Sequence, residues 1–387
     1  MKQQIYLDNA ATTPVLPEVV DEVVRCLTKD FGNPSSLHRL GLQSERQMKQ
    51  ARSMVAELIQ VPSEDIIFTS GGTESNNLAI LGTTRARKRY GCHCITTQIE
   101  HPSVLNTFDY LEQEGWDITY LPVDSHGVIN LEDLKNALRE DTVLVSIAHV
   151  NSEIGSVQPI REIGLFLKGN YPDIVFHTDA VQSFGRLHIR PVEWGIDLLS
   201  ISGHKIHAPK GIGALYIKKG TPLTTLQWGG GQELGIRSGT ENLPGIVGFG
   251  QAVQWIQQRI SEDKTFISGL KMKLVNEIVK VLPEVVFNGP KPFEGAPHIL
   301  NLSVSGIRGE TLLHVLESHG VYVSTGSACS SRKARTSHVL RSIGASDQVA
   351  EGSIRISLSY LNSWDELSEV PHILKKSVDQ VKRFTRR

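Results

Sequence analysis

The composition of the chain excludes several classes of protein. Its 387 residues, 40% of them hydrophobic, are enough to bury a large core and to form two domains. The 40 basic and 41 acidic residues are mixed along the sequence and leave a formal net charge of −1, and no basic stripe indicates a nucleic-acid partner. The first residues contain no apolar signal segment, and no stretch is apolar over the roughly 18 residues that a membrane span requires. We therefore expect a soluble, cytoplasmic protein with no membrane partner.

The cysteines predict neither a disulfide framework nor a metal site. Cys26, Cys92, Cys94 and Cys329 are few and scattered along the chain. The run Cys92-His93-Cys94 does not have the spacing of a zinc knuckle, and its neighbours supply no further ligands. We expect no bound metal.

Strands and helices alternate through the first two thirds of the chain. After a short strand from Tyr6, helices are predicted from Pro17 and over residues 43–59. Apolar runs that predict buried strands follow at 66–69, 93–97, 118–122, 143–150, 174–178, 196–201 and 212–217, and helices follow most of them. This βαβ pattern predicts an α/β fold, with a mostly parallel sheet covered by helices on both faces. Ligands of such sheets bind beyond the carboxyl ends of the strands.

A second, smaller unit is predicted after the sheet. Residues 246–282 read as a long helical stretch broken near Ser261. Strands are predicted at 285–287, 299–304, 321–324 and 354–358, with a helix at 310–319 and a closing helix whose capping box begins at Ser363. We therefore predict a large domain of residues 17–258 and a small α+β domain of residues 1–16 and 259–387.

Lys205 lies on the loop between the last two strands of the predicted sheet. An amine that leaves water for a crevice has its charged form disfavoured, so it can condense with an aldehyde. Asp179 ends an earlier strand, and Gln182 follows it. A carboxylate beside a pyridine nitrogen keeps that nitrogen protonated, as pyridoxal 5′-phosphate chemistry requires. The commoner roles are a solvated loop lysine and a helix N-cap aspartate.

Residues 70–77 follow a predicted strand and open a helix. Their glycines leave backbone N–H groups, Gly72 and Thr73 among them, where the helix dipole favours an anion. The stretch is neither a Walker loop nor a dinucleotide fingerprint, and a plain capped helix start is the alternative. His101 follows the next strand and could lie over an aromatic ring, act as an acid or base, or cap a helix. Together with Asn151, Ser152, Asp179, Gln182 and Lys205, these residues fall on one edge of the predicted sheet.

The small unit carries a candidate nucleophile. Cys329 lies in a stretch without apolar periodicity, between small and polar neighbours, which predicts a mobile loop with an exposed thiol. The basic residues that follow it favour the thiolate. Arg355, on a strand of the same unit, could bind a substrate carboxylate, and a surface ion pair is its alternative role.

Eight motifs, in order, resemble those of the cysteine desulfurases, which belong to the pyridoxal-phosphate fold type I, class V aminotransferase group. They are YLDNAATT at 6–13, FGNP at 31–34, SGGTESNN at 70–77, EH at 100–101, DAVQ at 179–182, SGHK at 202–205, RSGT at 237–240 and GSAC at 326–329. The resemblance covers nearly the whole chain. It implies conversion of L-cysteine into L-alanine, with a persulfide formed on Cys329.

The resemblance also implies roles for individual residues. Lys205 would hold pyridoxal 5′-phosphate, and Asp179 would pair with the nitrogen of its ring. Gln182 would contact the ring hydroxyl, and His101 would stack on the ring. Its phosphate would be bound by Gly72, Thr73, Ser202 and His204, with Thr240 reaching across from a second subunit of a homodimer. Asn33 and Arg355 match positions used for the cysteine carboxylate. The long loop around Cys329 resembles the group that serves iron–sulfur assembly and tRNA thiolation, so a sulfur-acceptor protein is the implied partner.

One position departs from the family pattern. Counting back from Gly155, the asparagine that contacts the cofactor in the family falls on Ser152, and Asn151 precedes it. Two other activities remain as alternatives: a selenocysteine lyase and a class V aminotransferase, which would not need Cys329. The non-enzymatic alternative is a cofactor-free assembly subunit, against which Lys205, Asp179 and Cys329 argue. The sulfur acceptor stays open.

Overall fold

The computed structural model describes residues 4–262, 265–326 and 337–385. Cys329 and the basic residues that follow it lie outside these ranges. The strands are β1 (Ile5–Tyr6), β2 (Ile66–Thr69), β3 (His93–Thr97), β4 (Asp117–Leu121), β5 (Thr142–Ser146), β6 (Val175–Asp179), β7 (Leu198–Ser202), β8 (Gly213–Ile217), β9 (Val285–Phe287), β10 (Ile299–Val304), β11 (Val321–Tyr322) and β12 (Ser353–Ser357).

Helices cover the strands on both sides. They are α1 (Pro17–Thr28), α2 (Arg39–Ile59), α3 (Gly72–Arg87), α4 (Pro102–Gln113), α5 (Leu131–Ala137), α6 (Ile160–Asn170), α7 (Pro191–Trp194), α8 (Leu243–Glu262), α9 (Phe266–Val281), α10 (Gly309–Ser318), α11 (His338–Ser342), α12 (Asp347–Glu351), α13 (Trp364–Leu367) and α14 (Val370–Thr385).

The large sheet has the spatial order β2-β8-β7-β6-β5-β3-β4 within the described ranges. Strand β8 runs antiparallel to both neighbours, β2 and β7, and the other pairs are parallel. The predicted mostly parallel α/β sheet is therefore confirmed. Apart from β4, its strands are buried along their whole length, as expected for a sheet covered on both faces.

Two helix starts differ from the sequence expectation. Helix α2 begins at Arg39 rather than near residue 43, because the side chain of His38 accepts a hydrogen bond from the backbone N–H of Gly41 and caps it. The capping box at Ser363 is present, but it caps the one-turn helix α13, and the long closing helix α14 starts afterwards at Val370.

Among the described residues, the three largest clusters of buried apolar side chains are two on the large sheet and one in the small unit. The sheet cores draw on residues between Leu16 and Ile256. The third combines Ile5 and Leu7 with residues from Ile267 to Val381. Strand β1 pairs with β11, which ties the N-terminal residues to the small unit. Two smaller clusters, which include Ile99 with Leu340 and Val150 with Ile299, join the two units. The division at residues 16/17 and 258/259 stays a prediction. No helix in the described part of the chain is long and apolar enough to cross a bilayer.

Candidate active site

A cavity of about 320 Å³ lies beyond the carboxyl ends of β6 and β7. It brings together most of the residues predicted from the sequence: Gly72, Thr73, His101, Ser152, Asp179, Gln182, Ser202, His204, Lys205 and Arg355. Asn33 and Thr240 do not line it, and both are exposed on this single chain. Gly326 and Ser337, which flank the segment that carries Cys329, also lie on the cavity wall.

Lys205 ends a single turn of 3-10 helix that follows β7. Its Nζ donates hydrogen bonds to the carbonyl oxygens of Ala10 at 2.6 Å and Ala11 at 2.8 Å. The N-terminal turn that supplies them is itself attached to the lysine loop, because the backbone N–H of Thr13 donates to the His204 carbonyl at 2.9 Å. Lys205 is therefore a positioned amine at the cavity wall rather than a solvated loop lysine.

Asp179 is the last residue of β6 and is 7% exposed. Its Oδ1 accepts from the backbone N–H of Val181 at 2.9 Å, which is the local turn contact common for a strand-end aspartate. Its Oδ2 accepts from Nδ2 of Asn76 at 2.7 Å. Two donors therefore hold the carboxylate in one orientation beside the cavity.

Gln182 is held by both ends of its amide. Its Nε2 donates to the Ala10 carbonyl at 2.9 Å, and its Oε1 lies 3.4 Å from Nε2 of His298. A primary amide nitrogen carries two hydrogens, so one N–H of Gln182 remains for a ligand in the cavity.

The first turn of α3 forms a small cradle. Gly71, its N-cap, has a φ of +149°, and a Cβ built on Gly72 would lie 2.7 Å from Cγ2 of Val181, so only glycine fits there. The Oγ of Ser202 lies beside this turn, and it is buried with no hydrogen-bond partner among the described residues. A buried hydroxyl without a partner next to a helix N-terminus suits an anion that the protein itself does not supply.

These features fit pyridoxal 5′-phosphate. The cavity offers an amine for its aldehyde, an oriented carboxylate for its ring nitrogen, and a helix N-terminus with a free hydroxyl for its phosphate. His204 lies at the same wall, and burial next to Lys205 lowers the pKa of its imidazole to about 4. Without an anion at this wall, His204 is therefore neutral near pH 7, and it can contribute a hydrogen bond.

Arg355 is buried, and its ion pair is partly buried rather than on the surface. It is 6% exposed on β12, and its Nη2 donates to Oδ1 of Asp8 at 2.7 Å. Its Nη1 donates to the Ser152 carbonyl at 2.8 Å, and its Nε is buried without a partner in the described part of the chain. Each Nη nitrogen keeps a second N–H, so the guanidinium can still donate hydrogen bonds to a carboxylate on the cavity side.

Residues Asn151 and Ser152 both reach the cavity, but their side chains are engaged differently. The Asn151 amide donates to the Ile99 carbonyl at 2.8 Å and accepts from the backbone N–H groups of Glu153 and Ile154. All of this amide except one N–H is used to build the turn. The observation favours Ser152 as the residue that meets a cofactor, and this assignment stays a prediction.

His101 caps a helix and also lies at the cavity, and its stacking or acid–base role stays a prediction. It is the N-cap of α4, where its Nδ1 accepts from the backbone N–H of Ser103 at 3.1 Å, and its ring also lines the cavity. Although the residue is solvent-exposed at the mouth, the surrounding protein lowers the pKa of the imidazole, and Lys205 and His338 act in the same direction. Asp179 opposes this shift.

Two acids of the cavity wall were not predicted as site residues. Burial raises the pKa of Glu100 to about 8, although the Ala148 N–H and the Thr97 hydroxyl donate to its carboxylate. Glu153 is 6% exposed, and burial raises its pKa as well. Glu100 belongs to the Glu-His motif at 100–101, but an acid in a loop gives no signal of burial until the chain is folded.

Comparisons with known proteins agree with this geometry. Residues 5–370 match the family described as aminotransferase class-V. A cysteine desulfurase IscS of Clostridium botulinum is 44% identical over 381 residues, which span 98% of this chain and 96% of that protein. A solved structure described as a NifS-like protein superposes with a TM-score of 0.91 at 36% identity, covering 97% of this chain and all of the other. Another, described as SspA in complex with cysteine, has a TM-score of 0.79 at 38% identity and covers 92% of this chain and 99% of the other.

The fold is that of the fold type I class of pyridoxal-phosphate enzymes. The chain belongs to the aminotransferase class-V family, and the resemblance to the cysteine desulfurases inferred from its motifs is confirmed by relatives that span its whole length.

Proposed function

We propose that this enzyme, which is of the cysteine desulfurase type, converts L-cysteine into L-alanine and retains the sulfur as a persulfide on Cys329. The observation that carries the proposal is one cavity in which Lys205, Asp179 and Arg355 meet at the wall next to Gly326. An amine and a carboxylate alone would also suit a transaminase. The thiol-bearing segment between Gly326 and Ser337 favours desulfuration, because both flanking residues line the cavity.

The residues that would hold pyridoxal 5′-phosphate are those predicted from the motifs. Lys205 would carry its aldehyde and Asp179 its ring nitrogen, and the α3 start with Ser202 and His204 would hold its phosphate. When bound, the cofactor supplies an electron sink connected to the α-carbon of the substrate. The protein's part is to orient both molecules and to move protons.

The substrate is oriented by its carboxylate. The Arg355 guanidinium would bind it, while Asp8 and the Ser152 carbonyl hold the guanidinium in place from behind. The Lys205 amine, once free, would take the α-proton of the substrate. The acidic carboxyl group of Glu100 lies at the same wall, where it would remain largely protonated near pH 7.

The sulfur step balances without an oxidant or reductant. The Cys329 thiolate attacks the substrate sulfur, an S–S bond forms, and the bond between that sulfur and the substrate β-carbon breaks. The electron pair of the broken bond goes to the β-carbon, which is then protonated, and the proton taken up by Lys205 would return to the α-carbon to give alanine. One cysteine and one thiol thus give one alanine and one persulfide.

Replacing Cys329 with serine is expected to abolish persulfide formation while cofactor and cysteine binding persist, because serine keeps the size but not the sulfur nucleophile. The measurement is alanine release without an added thiol or oxo acid, together with mass analysis of the alkylated protein. Cys92→Ser, which removes a partly exposed thiol elsewhere, is the control and should behave like the unmodified enzyme. Sustained alanine release by Cys329→Ser would contradict the proposal.

We also propose that the protein works as a homodimer. Large apolar side chains are exposed on the single chain, including Phe31 (66%), Leu37 (94%), Trp228 (72%) and Leu234 (72%). Thr240 is exposed and lies twelve residues after Trp228 in the sequence. It does not reach the cavity of its own chain, so it suits a contact with the cofactor of a second subunit.

Light scattering should therefore give a mass near twice 42.7 kDa. The double variant Trp228→Asp, Leu234→Asp is expected to give monomers with less bound cofactor, because charges on an apolar interface cost several kcal/mol each. Phe293→Asp, at a similarly exposed site, controls for the added charge. A monomeric unmodified protein with full activity would rule out the dimer.

The persulfide would pass to an acceptor protein of iron–sulfur assembly or tRNA thiolation. Labelled sulfur on Cys329, offered to one purified acceptor of each kind, would identify the recipient, and transfer to neither would remove this part of the proposal.

We place the protein in the cytoplasm because the cysteines in its described part, Cys26, Cys92 and Cys94, are free thiols, as a reducing compartment favours. Cell fractionation tests the location.

A further inference from the structure

A chain of short hydrogen bonds connects the carboxylate of Asp179 to the ring of His101. Nδ2 of Asn76 lies 2.7 Å from Oδ2 of Asp179 and 2.9 Å from Oγ of Ser103. Oγ of Ser103 lies 2.8 Å from Nδ1 of His101. Asn76 is 1% exposed, whereas Ser103 is partly exposed and His101 is exposed, so the network runs along the cavity wall from the interior to the mouth.

The donors in this network follow from the chemistry of the groups. A carboxylate only accepts, so Asn76 directs one N–H to Asp179 and the other to the Ser103 oxygen. The opposite orientation of the amide would bring its oxygen against the carboxylate, with two acceptors facing each other. Since the Ser103 oxygen accepts from Asn76, its own hydrogen is available for Nδ1 of His101.

The backbone of Ser103 acts on the same atom. Its N–H donates to Nδ1 of His101 at 3.1 Å. Nδ1 therefore faces two donors, and a ring nitrogen that accepts hydrogen bonds cannot itself carry a proton. In a neutral imidazole the proton must then be on the other nitrogen, Nε2.

We propose that Asn76 and Ser103 are positioning residues that hold His101 as a neutral imidazole with its proton on Nε2. The protonation state of His101 can be inferred without the proposed function. Its consequence for catalysis, that Lys205 takes the α-proton, rests on the proposed function. In the resting enzyme His101 offers the cavity an aromatic face and one N–H donor, and it has no free basic nitrogen. The α-proton of the substrate is therefore left to Lys205.

The surroundings of His101 favour the same state. The charged or titratable groups that face it are Asp179 on β6, His204 and Lys205 after β7, and His338 on α11, with Glu100 preceding it in the chain. The surrounding protein displaces water from the ring and lowers the pKa of His101, Lys205 and His338 lower it further, and Asp179 raises it. Asp179 is itself bound to Asn76 and Val181, which spreads its charge over other donors.

The hydroxyl of Ser103 can be tested apart from the helix start. The capping bond uses the backbone N–H of Ser103, and its carbonyl accepts from Thr107 and Asn77. Ser103→Ala keeps all of these contacts and removes the hydroxyl. Ser103→Thr keeps the hydroxyl, and Thr107→Val removes a hydroxyl of α4 that does not touch His101.

The test is nuclear magnetic resonance of the full-length protein with ¹⁵N-labelled histidine, with and without pyridoxal 5′-phosphate. The signal of His101 is identified by its loss in His101→Gln, and its two nitrogens are followed as a function of pH. We expect the proton on Nε2 near pH 7.5 and a titration midpoint below 6.5. In Ser103→Ala the midpoint should rise by roughly 0.5–1 unit, because the neutral ring loses one donor. Ser103→Thr and Thr107→Val should stay within a few tenths of a unit of the unmodified protein.

A proton on Nδ1, a charged ring at pH 7.5, or an unchanged midpoint in Ser103→Ala would each overturn the inference. The cofactor-free protein gives this readout whether or not it releases alanine. If the proton is on Nε2 and the protein fails to desulfurate cysteine, the proposed function is rejected and the inference about His101 is retained. If the proton is on Nδ1 and the enzyme is active, the inference is rejected and the proposed function is retained.

Discussion

Replacing Lys205 with alanine is expected to lower the rate of alanine release by at least about 10³-fold, because one substitution removes both the amine that anchors the cofactor and the base for the α-proton. Lys205→Arg is expected to be equally inactive. Arginine can still donate to the carbonyls of Ala10 and Ala11, but its guanidinium does not condense with an aldehyde under these conditions.

The measurement combines alanine release with borohydride reduction, which should fix the cofactor to the peptide that contains Lys205 and to no other. Lys210→Ala, five residues further along the same loop and exposed, serves as the control and should retain activity and labelling. If Lys205→Arg folds, binds the cofactor and turns over cysteine at the original rate, the assignment of the amine is wrong.

Replacing Asp179 with asparagine is expected to lower turnover by about 10² to 10³-fold, the range for loss of one preorganised electrostatic group. An amide cannot balance a protonated ring nitrogen. It also disturbs the site, since either Val181 N–H or Asn76 Nδ2 would then face an NH₂ group instead of an oxygen. The loss should appear in kcat more than in the binding of cysteine, because Arg355 is untouched.

A cofactor methylated on its ring nitrogen provides a direct check on this reason. Its nitrogen is positively charged without a proton, so it should restore part of the activity of Asp179→Asn. Asp173→Asn, on the exposed turn before β6, should have no effect. Full activity of Asp179→Asn with the ordinary cofactor would show that the carboxylate does not tune the ring.

Much of the candidate site could be predicted from strand ends. Apolar runs located the strands to within a few residues, and parallel strands place their carboxyl ends on one edge. Asp179 and Lys205 follow strands that are neighbours in the sheet, β6 and β7, so their meeting at one cavity follows from local sequence and a general rule of sheet topology.

The contacts that orient these residues could not be predicted in the same way. Lys205 is held by carbonyls nearly two hundred residues away, and Arg355 pairs with Asp8 from the other end of the chain. Asn76 reads as an ordinary helix residue until α3 and α4 pack together and bring it to Asp179 and Ser103. Periodicity reports which face of an element is buried, but it contains no information about which distant polar group lies opposite.

The sequence by itself therefore determined the α/β architecture and predicted the sheet edge and the groups proposed to react, since these predictions depend on local pattern, on the chemistry of a side chain or on motifs shared with a family. Only the tertiary structure decided how the residues of the cavity are held: the partly buried ion pair of Arg355, the raised pKa of Glu100 and the donors around His101. It also showed that Asn33 and Thr240 stay outside the cavity of a single chain. The physical reason is that orientation, burial and charge depend on contacts between segments far apart in sequence, which exist only once the chain has folded.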